Sequence, residues 1–145
     1  MHPAAAKALF DEDAQHLSGA LADRRGWALH AVAYPLIDCS FSAPGRTTLR
    51  LSLACEDWND LPPSISLLAA DGSALTALPQ NPTGVFNGGP HPQTNRPFVC
   101  MRGAREYHAH PSHLADPWES LKNLTNYSLG GILTQLWHAW QKGSG

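Results

Sequence analysis

Residues 47–69 read TTLRLSLACEDWNDLPPSISLLA, and this stretch carries the clearest folding signal of the chain. Over residues 47–56 apolar side chains alternate with polar or small ones, and the apolar set is Leu49, Leu51, Leu53 and Cys55. A period of two is typical of an antiparallel strand with one buried face. Residues 64–69 predict a second short strand, and the Asp71-Gly72 pair behind it predicts a turn. Together these patterns predict part of an antiparallel meander.

Further elements are predicted on the N-terminal side of this stretch. Residues 27–32 and 36–41 are apolar and partly alternating, which predicts two more strands and a meander of three to four strands in all. A helix is predicted over residues 3–25, with Pro3 in its first turn and Gly26 behind its end. The apolar stripe of this helix consists of Phe10, Ala14, Leu17 and Leu21.

The C-terminal part predicts helices behind an irregular segment. Prolines and glycines concentrate between residues 79 and 103, which predicts a long irregular and functional stretch. Asp116 and Pro117 fit the cap and the first position of a helix. Another helix is predicted from 128 to about 142, with the stripe Leu129, Leu133, Leu136 and Trp140. The predicted fold class is therefore α+β: an N-terminal helix, an antiparallel meander, an irregular segment and C-terminal helices.

The composition restricts the class of protein. The chain has 145 residues, 43% hydrophobic and 15% charged, so one domain over residues 1–142 with a flexible tail at 143–145 is expected. The net charge is −2 and no long basic run occurs, which argues against nucleic-acid binding. No apolar run reaches about 18 residues and no signal-peptide core is present, so a soluble cytoplasmic protein that does not bind membranes is expected. Cys39 and Cys55 lie in apolar runs and are expected to be buried core thiols.

Residues 100–113 read CMRGAREYHAHPSH and form the candidate site. They combine one thiol, one carboxylate and three imidazoles: Cys100, Glu106, His108, His110 and His113. Thiolate, imidazole and carboxylate are the ligands that zinc takes in proteins. The segment therefore predicts a Zn²⁺ site built from these five residues.

The spacing leaves the composition of the ligand shell open. Three side chains share one face, about 7 Å apart, if residues 106–110 are extended; they are Glu106, His108 and His110. Pro111 turns the chain, so that His113 can fold back. The expected ligands are Cys100, His108 and His113, completed by Glu106 or His110. The spare residue is expected to form a hydrogen bond with a ligand imidazole.

Three other interpretations of this segment are open. Cys100 can be a nucleophile, with a nearby imidazolium or Arg102 favouring its thiolate and the Asn95 amide stabilising an oxyanion. Glu106 can be the base of a zinc hydrolase, although the spacing is not that of the helical His-Glu-x-x-His pattern. The third interpretation is a surface loop with histidines by chance and a buried Cys100. Of the remaining histidines, His91 is the least ordinary, because it lies between two prolines.

The order of elements resembles that of ubiquitin-conjugating enzymes and their inactive relatives. The Pro-Pro pair at 62–63 resembles the element that links two strands of that fold. His91-Pro92, upstream of Cys100, resembles the His-Pro-Asn element that precedes the conjugating cysteine, with Gln93 in the place of the asparagine. The resemblance implies a ubiquitin-conjugating-like domain. As an alternative function it implies a divergent conjugating enzyme that forms a thioester at Cys100.

A second resemblance covers residues 96 to about 118. Cys100, Glu106 and the paired histidines, followed by the Asp-Pro-Trp run at 116–118, resemble the predicted metal-binding family named for its Cys-Glu-His-His pattern. Members of that family are encoded in bacterial operons for ubiquitin-like conjugation. The resemblance implies a zinc-binding accessory or adaptor protein without enzymatic activity, with a role in antiphage defence. Its implied partner is a ubiquitin-like modifier, or a conjugating or activating enzyme of the same pathway.

Overall fold

A four-stranded antiparallel sheet forms the centre of the computed structural model, which describes residues 1–17, 20–80 and 82–143. Its strands, in chain order, are β1 (Ala28–Ala33), β2 (Leu36–Phe41), β3 (Leu49–Ala54) and β4 (Ser64–Leu68). Each strand pairs with the next along the chain, so the sheet is a meander with the order β1-β2-β3-β4. The inward residues of β3 are buried, as their alternation predicted. The predicted α+β class and antiparallel meander are confirmed.

Two helices precede the sheet where one was predicted. They are α1 (Pro3–Ala14) and α2 (Ala20–Arg25). The predicted continuous helix over 3–25 is wrong, because the backbone N–H groups of residues 16 and 17 bond to carbonyls only three positions back, which tightens and ends α1. Residues 18 and 19, which the predicted helix included, lie outside the described residues.

The stretch predicted to be irregular, residues 79–103, is mostly irregular over its described residues. It contains a short hairpin of β5 (Phe86–Asn87) and β6 (Phe98–Val99). The next elements are α3 (Arg105–Ala109) and three 3₁₀ turns at Pro111–His113, Trp118–Ser120 and Thr125–Tyr127. These short elements change the direction of the chain several times between residues 98 and 127, which brings residues far apart in the sequence together.

The predicted C-terminal helix is confirmed as α4 (Leu129–Lys142). Its N-cap is Ser128, whose hydroxyl oxygen accepts a hydrogen bond from the N–H of Gly131 at 3.0 Å. The predicted stripe is buried in the core and consists of Leu129, Leu133, Leu136 and Trp140. The periodicity of the apolar stripe therefore located this helix correctly.

The helix start predicted at Asp116 is wrong. Only the 3₁₀ turn Trp118–Ser120 forms there, and its cap position is held by Pro117 without a side-chain hydrogen bond. The Asp116 carboxylate instead accepts hydrogen bonds from the Tyr107 hydroxyl at 2.8 Å and from Nε of Arg102 at 2.6 Å. The Asp116 carboxylate is therefore engaged in a tertiary ion pair and does not cap a helix.

The core combines the sheet with α1 and α4, and these two helices pack against each other. Cys39 and Cys55 are 0% and 1% exposed, which confirms the prediction of buried thiols. The Phe41 and Trp140 rings lie 5.9 Å apart and join β2 to α4. No helix within the described ranges is long and apolar enough to cross a lipid bilayer.

One ion pair on the sheet makes a pH-dependent prediction. Arg50 donates from Nε to Oδ1 of Asp38 at 2.8 Å and from Nη2 to Oδ2 at 2.6 Å, and this pairing lowers the pKa of Asp38. A lowered carboxyl pKa stabilises the fold above the unfolded-state pKa, and the gain is lost as the pH falls through the folded-state value. We expect Asp38→Asn to lower the free energy of unfolding by about 1 kcal/mol at pH 7 and by less below about pH 4. Urea unfolding at the two pH values measures the difference.

The control for this measurement is Asp23→Asn on the exposed side of α2, which removes a carboxylate that has no side-chain partner among the described residues. A difference between wild type and Asp38→Asn that stayed constant between pH 7 and the acid limb would contradict the predicted linkage.

Candidate thiol–histidine site

The candidate site lies where β6 leads into α3. The backbone N–H of Cys100 donates to the carbonyl of Val85 at 2.6 Å, which fixes the thiol at the end of the β5–β6 hairpin. Gly103 then turns the chain with a φ of 96°, and a Cβ there would lie 3.1 Å from Ile132. The turn after α3 brings His113 back, so that its Nε2 lies 3.7 Å from Sγ of Cys100. Two residues of the predicted set therefore meet.

The Cys100 thiol is partly buried, and its surroundings differ from those predicted. Burial raises the pKa of Cys100, and a hydrogen bond from the Asn87 side chain lowers it by less. The amide beside the thiol therefore comes from Asn87 on β5 and not from Asn95, which was predicted. Asn95 lies in a turn with a φ of 56°, and its N–H donates to the His91 carbonyl at 2.8 Å. Arg102 is paired with Asp116.

A tyrosine that the sequence pattern did not single out supports the His113 ring. The rings of Tyr107 and His113 stack with centroids 4.0 Å apart and planes 14° apart. The Tyr107 hydroxyl donates to Asp116, whose carboxylate also binds Arg102. The stack thus links His113 to an ion pair that connects the segment after β6 to the turn after α3.

His110 lies beside His113. Its ring centroid lies 5.7 Å from that of His113, and its ring stacks on Phe98 at 5.8 Å. Nδ1 of His110 lies 2.7 Å from the hydroxyl oxygen of Ser112. Nδ1 also accepts from the backbone N–H of Ser112 at 3.2 Å, so in this arrangement Nε2 carries the ring proton.

His108 uses both ring nitrogens to hold the local backbone. Its Nε2 accepts from the N–H of Gly103 at 3.0 Å, and its Nδ1 donates to the carbonyl of Asp116 at 2.8 Å. Burial lowers the pKa of His108, which agrees with a neutral ring in this position. In this arrangement no lone pair of His108 is available to a metal.

Glu106 anchors α3 to the edge of the sheet. Its Oε1 accepts from the N–H of Ile65 at 2.8 Å and its Oε2 accepts from the Ser64 hydroxyl at 2.6 Å, and the residue is only 7% exposed. The extended conformation considered for residues 106–110 is wrong, because α3 spans Arg105–Ala109. The helix points the Glu106 carboxylate to β4, where both of its oxygens are engaged.

His91 is a buried structural residue that packs beside the site. Its Nδ1 accepts from the N–H of Gln93 at 3.1 Å, so Nε2 carries the proton and donates to the Glu106 carbonyl at 2.8 Å. The ring lies edge-on to Phe98 and to His110, at centroid distances of 4.9 and 5.6 Å. His91 therefore helps to position Phe98, on which the His110 ring stacks.

The donor atoms as they stand form a pair and not a complete shell. Within residues 1–17, 20–80 and 82–143, no group of three or more His, Cys, Asp and Glu side chains is arranged to hold a metal ion. A sulfur and a nitrogen on one tetrahedral zinc are about 3.6 Å apart, from bond lengths of about 2.3 and 2.0 Å. The 3.7 Å between Cys100 and His113 is close to this separation.

Comparisons with known proteins reach this part of the chain. The model of the Y4jH family, described as Y4jH-like, matches residues 87–143. The uncharacterized protein y4jH of Sinorhizobium fredii (strain NBRC 101917 / NGR234) is 58% identical over 24 residues, which are 17% of this chain and 12% of that relative. The aligned part thus spans about an eighth of the curated relative. Every residue from Asn87 to Asp116 that builds the site lies inside the family match.

Proposed function

We propose that this chain is a zinc-binding protein whose ligands are Cys100, His113 and His110. The observation that carries the proposal is the 3.7 Å distance between Sγ of Cys100 and Nε2 of His113. A thiolate and two imidazoles suit zinc better than the oxygen-seeking Mg²⁺ or Ca²⁺. His108 and Glu106 have both of their donor atoms in other hydrogen bonds, whereas His110 has only Nδ1 engaged, which favours His110 as the third ligand. Its Nε2 would bind zinc after the ring proton moves to Nδ1, which then gives up the hydrogen bond from the Ser112 N–H.

The surroundings of these side chains fit a bound zinc ion. The Ser112 hydroxyl at Nδ1 of His110 is the kind of partner that orients a ligand imidazole. Zinc would take Cys100 as the thiolate and fasten the turn after β6 to the turn after α3. Three protein ligands leave one position for a water molecule or for a side chain of a partner protein.

The proposed role is that of a non-enzymatic accessory or adaptor protein in a bacterial ubiquitin-like conjugation pathway. This part rests on the resemblance of the Cys-Glu-His-His pattern and on the resemblance of the element order to that of a ubiquitin-conjugating-like domain. The proposed partner is a ubiquitin-like modifier, or a conjugating or activating enzyme. A metal-stabilised surface segment that presents an open coordination position suits binding to such a partner.

The metal content of the purified protein tests the site. We expect about one zinc ion per chain by elemental mass spectrometry and loss of most of it in Cys100→Ala and in His113→Ala, because each variant removes one of only three ligands. His138→Ala is the matched control, since it removes an exposed imidazole on α4, a helix that carries none of the proposed ligands. Full zinc content in folded Cys100→Ala would refute the assignment.

The second candidate function is thioester formation at Cys100. It is favoured by the imidazole of His113 and the amide of Asn87 beside one thiol. In this case the thiolate would attack the modifier's thioester carbonyl on an activating enzyme, and that enzyme's cysteine thiolate would leave. The wild type would then contain no zinc, and Cys100→Ser would form an ester with the modifier that resists reduction.

A further inference from the structure

The outer edge of β4 is open along part of its length. β4 is the last strand of the sheet: β3 pairs with one side of it, and the isolated bridge Leu68–Ala74 pairs its C-terminal end on the other side. Its backbone groups point alternately towards β3 and away from it. The N–H of Ile65 donates to Glu106, away from β3. By alternation, the backbone groups of Leu67 also point outwards.

Two contacts close the ends of this edge and leave its middle unpaired. Glu106 occupies the N–H of Ile65, and the N–H of Ala69 donates to the Ser73 carbonyl at 2.8 Å. Between them, the N–H of Leu67 and the carbonyl of Ile65 have no hydrogen-bond partner in the part of the chain that the structure describes. The antiparallel bridge Leu68–Ala74 brings the N–H of Leu75 to the carbonyl of Leu67. One donor and one acceptor are therefore available on this half-buried strand edge.

These groups adjoin a cavity of about 260 Å³. All five residues of β4 line it, and its opposite wall is apolar and includes Leu75, Leu78, Pro97 and Phe98. This volume lies somewhat below the roughly 300–1,000 Å³ of ordinary small-molecule pockets, so it suits one or two side chains better than a whole cofactor. An apolar recess beside open strand groups is the arrangement that binds extended peptides.

One charge at the cavity indicates the chemistry of the occupant. Arg96 lines the cavity, is exposed, and forms no ion pair with any described residue. The carboxylate of Glu106 also lines the cavity, but both of its oxygens already accept hydrogen bonds. The free charge is thus positive, and its complement is a carboxylate.

We propose that the edge of β4 binds an extended, acidic peptide segment of a partner protein by strand addition. The peptide accepts a hydrogen bond from the N–H of Leu67 and donates one to the carbonyl of Ile65. An apolar side chain of the peptide enters the recess between Leu75 and Phe98, and a carboxylate binds Arg96. The site uses none of the proposed zinc ligands, and Phe98 is the residue that lines it and also stacks on His110.

The test uses a positional-scanning library of synthetic octapeptides with free C termini, and binding to the full chain is measured by fluorescence anisotropy. We expect the best binders to carry one large apolar residue and a nearby carboxylate. Leu67→Pro should weaken them about tenfold or more, because it removes the outward N–H, and proline is tolerated on an edge strand. Arg96→Glu should abolish the preference for acidic peptides, and the control Arg24→Glu on α2 should leave binding unchanged.

Three results would overturn the proposal. The first is that no peptide binds the wild type with a Kd below about 1 mM. The second is that folded Leu67→Pro binds the selected peptides as well as the wild type does. If Leu67→Pro fails to fold, amide hydrogen exchange of the wild type decides instead: the bound peptide must slow exchange at Leu67, and unchanged exchange would contradict the proposal. Zinc removal by a chelator separates this result from the metal site, because binding at β4 should persist without metal.

Discussion

Glu106→Ala is expected to lower the free energy of unfolding by about 3 kcal/mol, since it leaves one buried and one partly buried donor without an acceptor. These donors are the N–H of Ile65 and the hydroxyl of Ser64, which both bind the carboxylate at hydrogen-bond distance. The residue is nearly fully buried, so water cannot replace the lost acceptor without entering the space between α3 and β4. Chemical denaturation at neutral pH measures the loss.

Glu106→Gln is the matched control, because its amide oxygen can still accept from Ile65 and its amide nitrogen can donate to the Ser64 hydroxyl. We expect this variant to lose only about 1 kcal/mol. The pair also distinguishes an anchor from a ligand. If Glu106 binds zinc, Glu106→Gln should lose metal while it stays folded; if Glu106 anchors α3, both variants should keep their zinc per folded chain.

Gly131→Ala is expected to destabilise the protein by about 2–3 kcal/mol, although alanine is the better helix former. A Cβ at this position would lie 2.5 Å from the carbonyl oxygen of Asn126 and 2.7 Å from that of Thr125. Both are backbone atoms of the 3₁₀ turn ahead of α4, so relief requires the turn or the helix to move. The residue therefore sets how closely the turn and α4 approach each other.

The neighbouring Gly130→Ala is the control for this substitution. Its Cβ would meet only the side chains of Leu17 and Leu21, both at 3.4 Å, which is ordinary contact. The gain in helix propensity, about 1 kcal/mol, should then appear as unchanged or increased stability. Thermal unfolding of the two single variants gives the comparison. Equal midpoints would mean that the turn yields to the added methyl group and that the close approach is not required.

The sheet and α4 could be predicted from the sequence because their signals are local. Alternation in residues 47–56 requires only that one face be buried, and Ser128 ahead of an apolar stripe marks a helix start within four residues. The failures arise where a distant residue decides the conformation. Asp116 looked like a cap, but Arg102 and Tyr107 bind its carboxylate in the folded chain. A local sequence pattern around Asp116 does not show which distant side chains will bind its carboxylate.

The candidate site was predictable in composition but not in arrangement. Cys100 and His113 were expected to approach each other, and they do. Asn87 reaches the thiol only because β5 pairs with β6, and Tyr107 reaches His113 only because α3 and the following turn fold against each other. The five predicted ligands stay a prediction as a set. Hydrogen bonds in the folded chain engage the donor atoms of Glu106 and His108, and this gives His110 its place in the proposed shell.

Phe98 connects the two proposed binding sites through one aromatic ring. The residue lines the cavity beside β4, and its ring stacks on His110 with planes 17° apart. If both sites are occupied as proposed, a peptide that displaces the ring also displaces a zinc ligand. By thermodynamic reciprocity, zinc and peptide must then change each other's Kd by the same factor. Occupancy of one site would then change the affinity of the other site for its ligand.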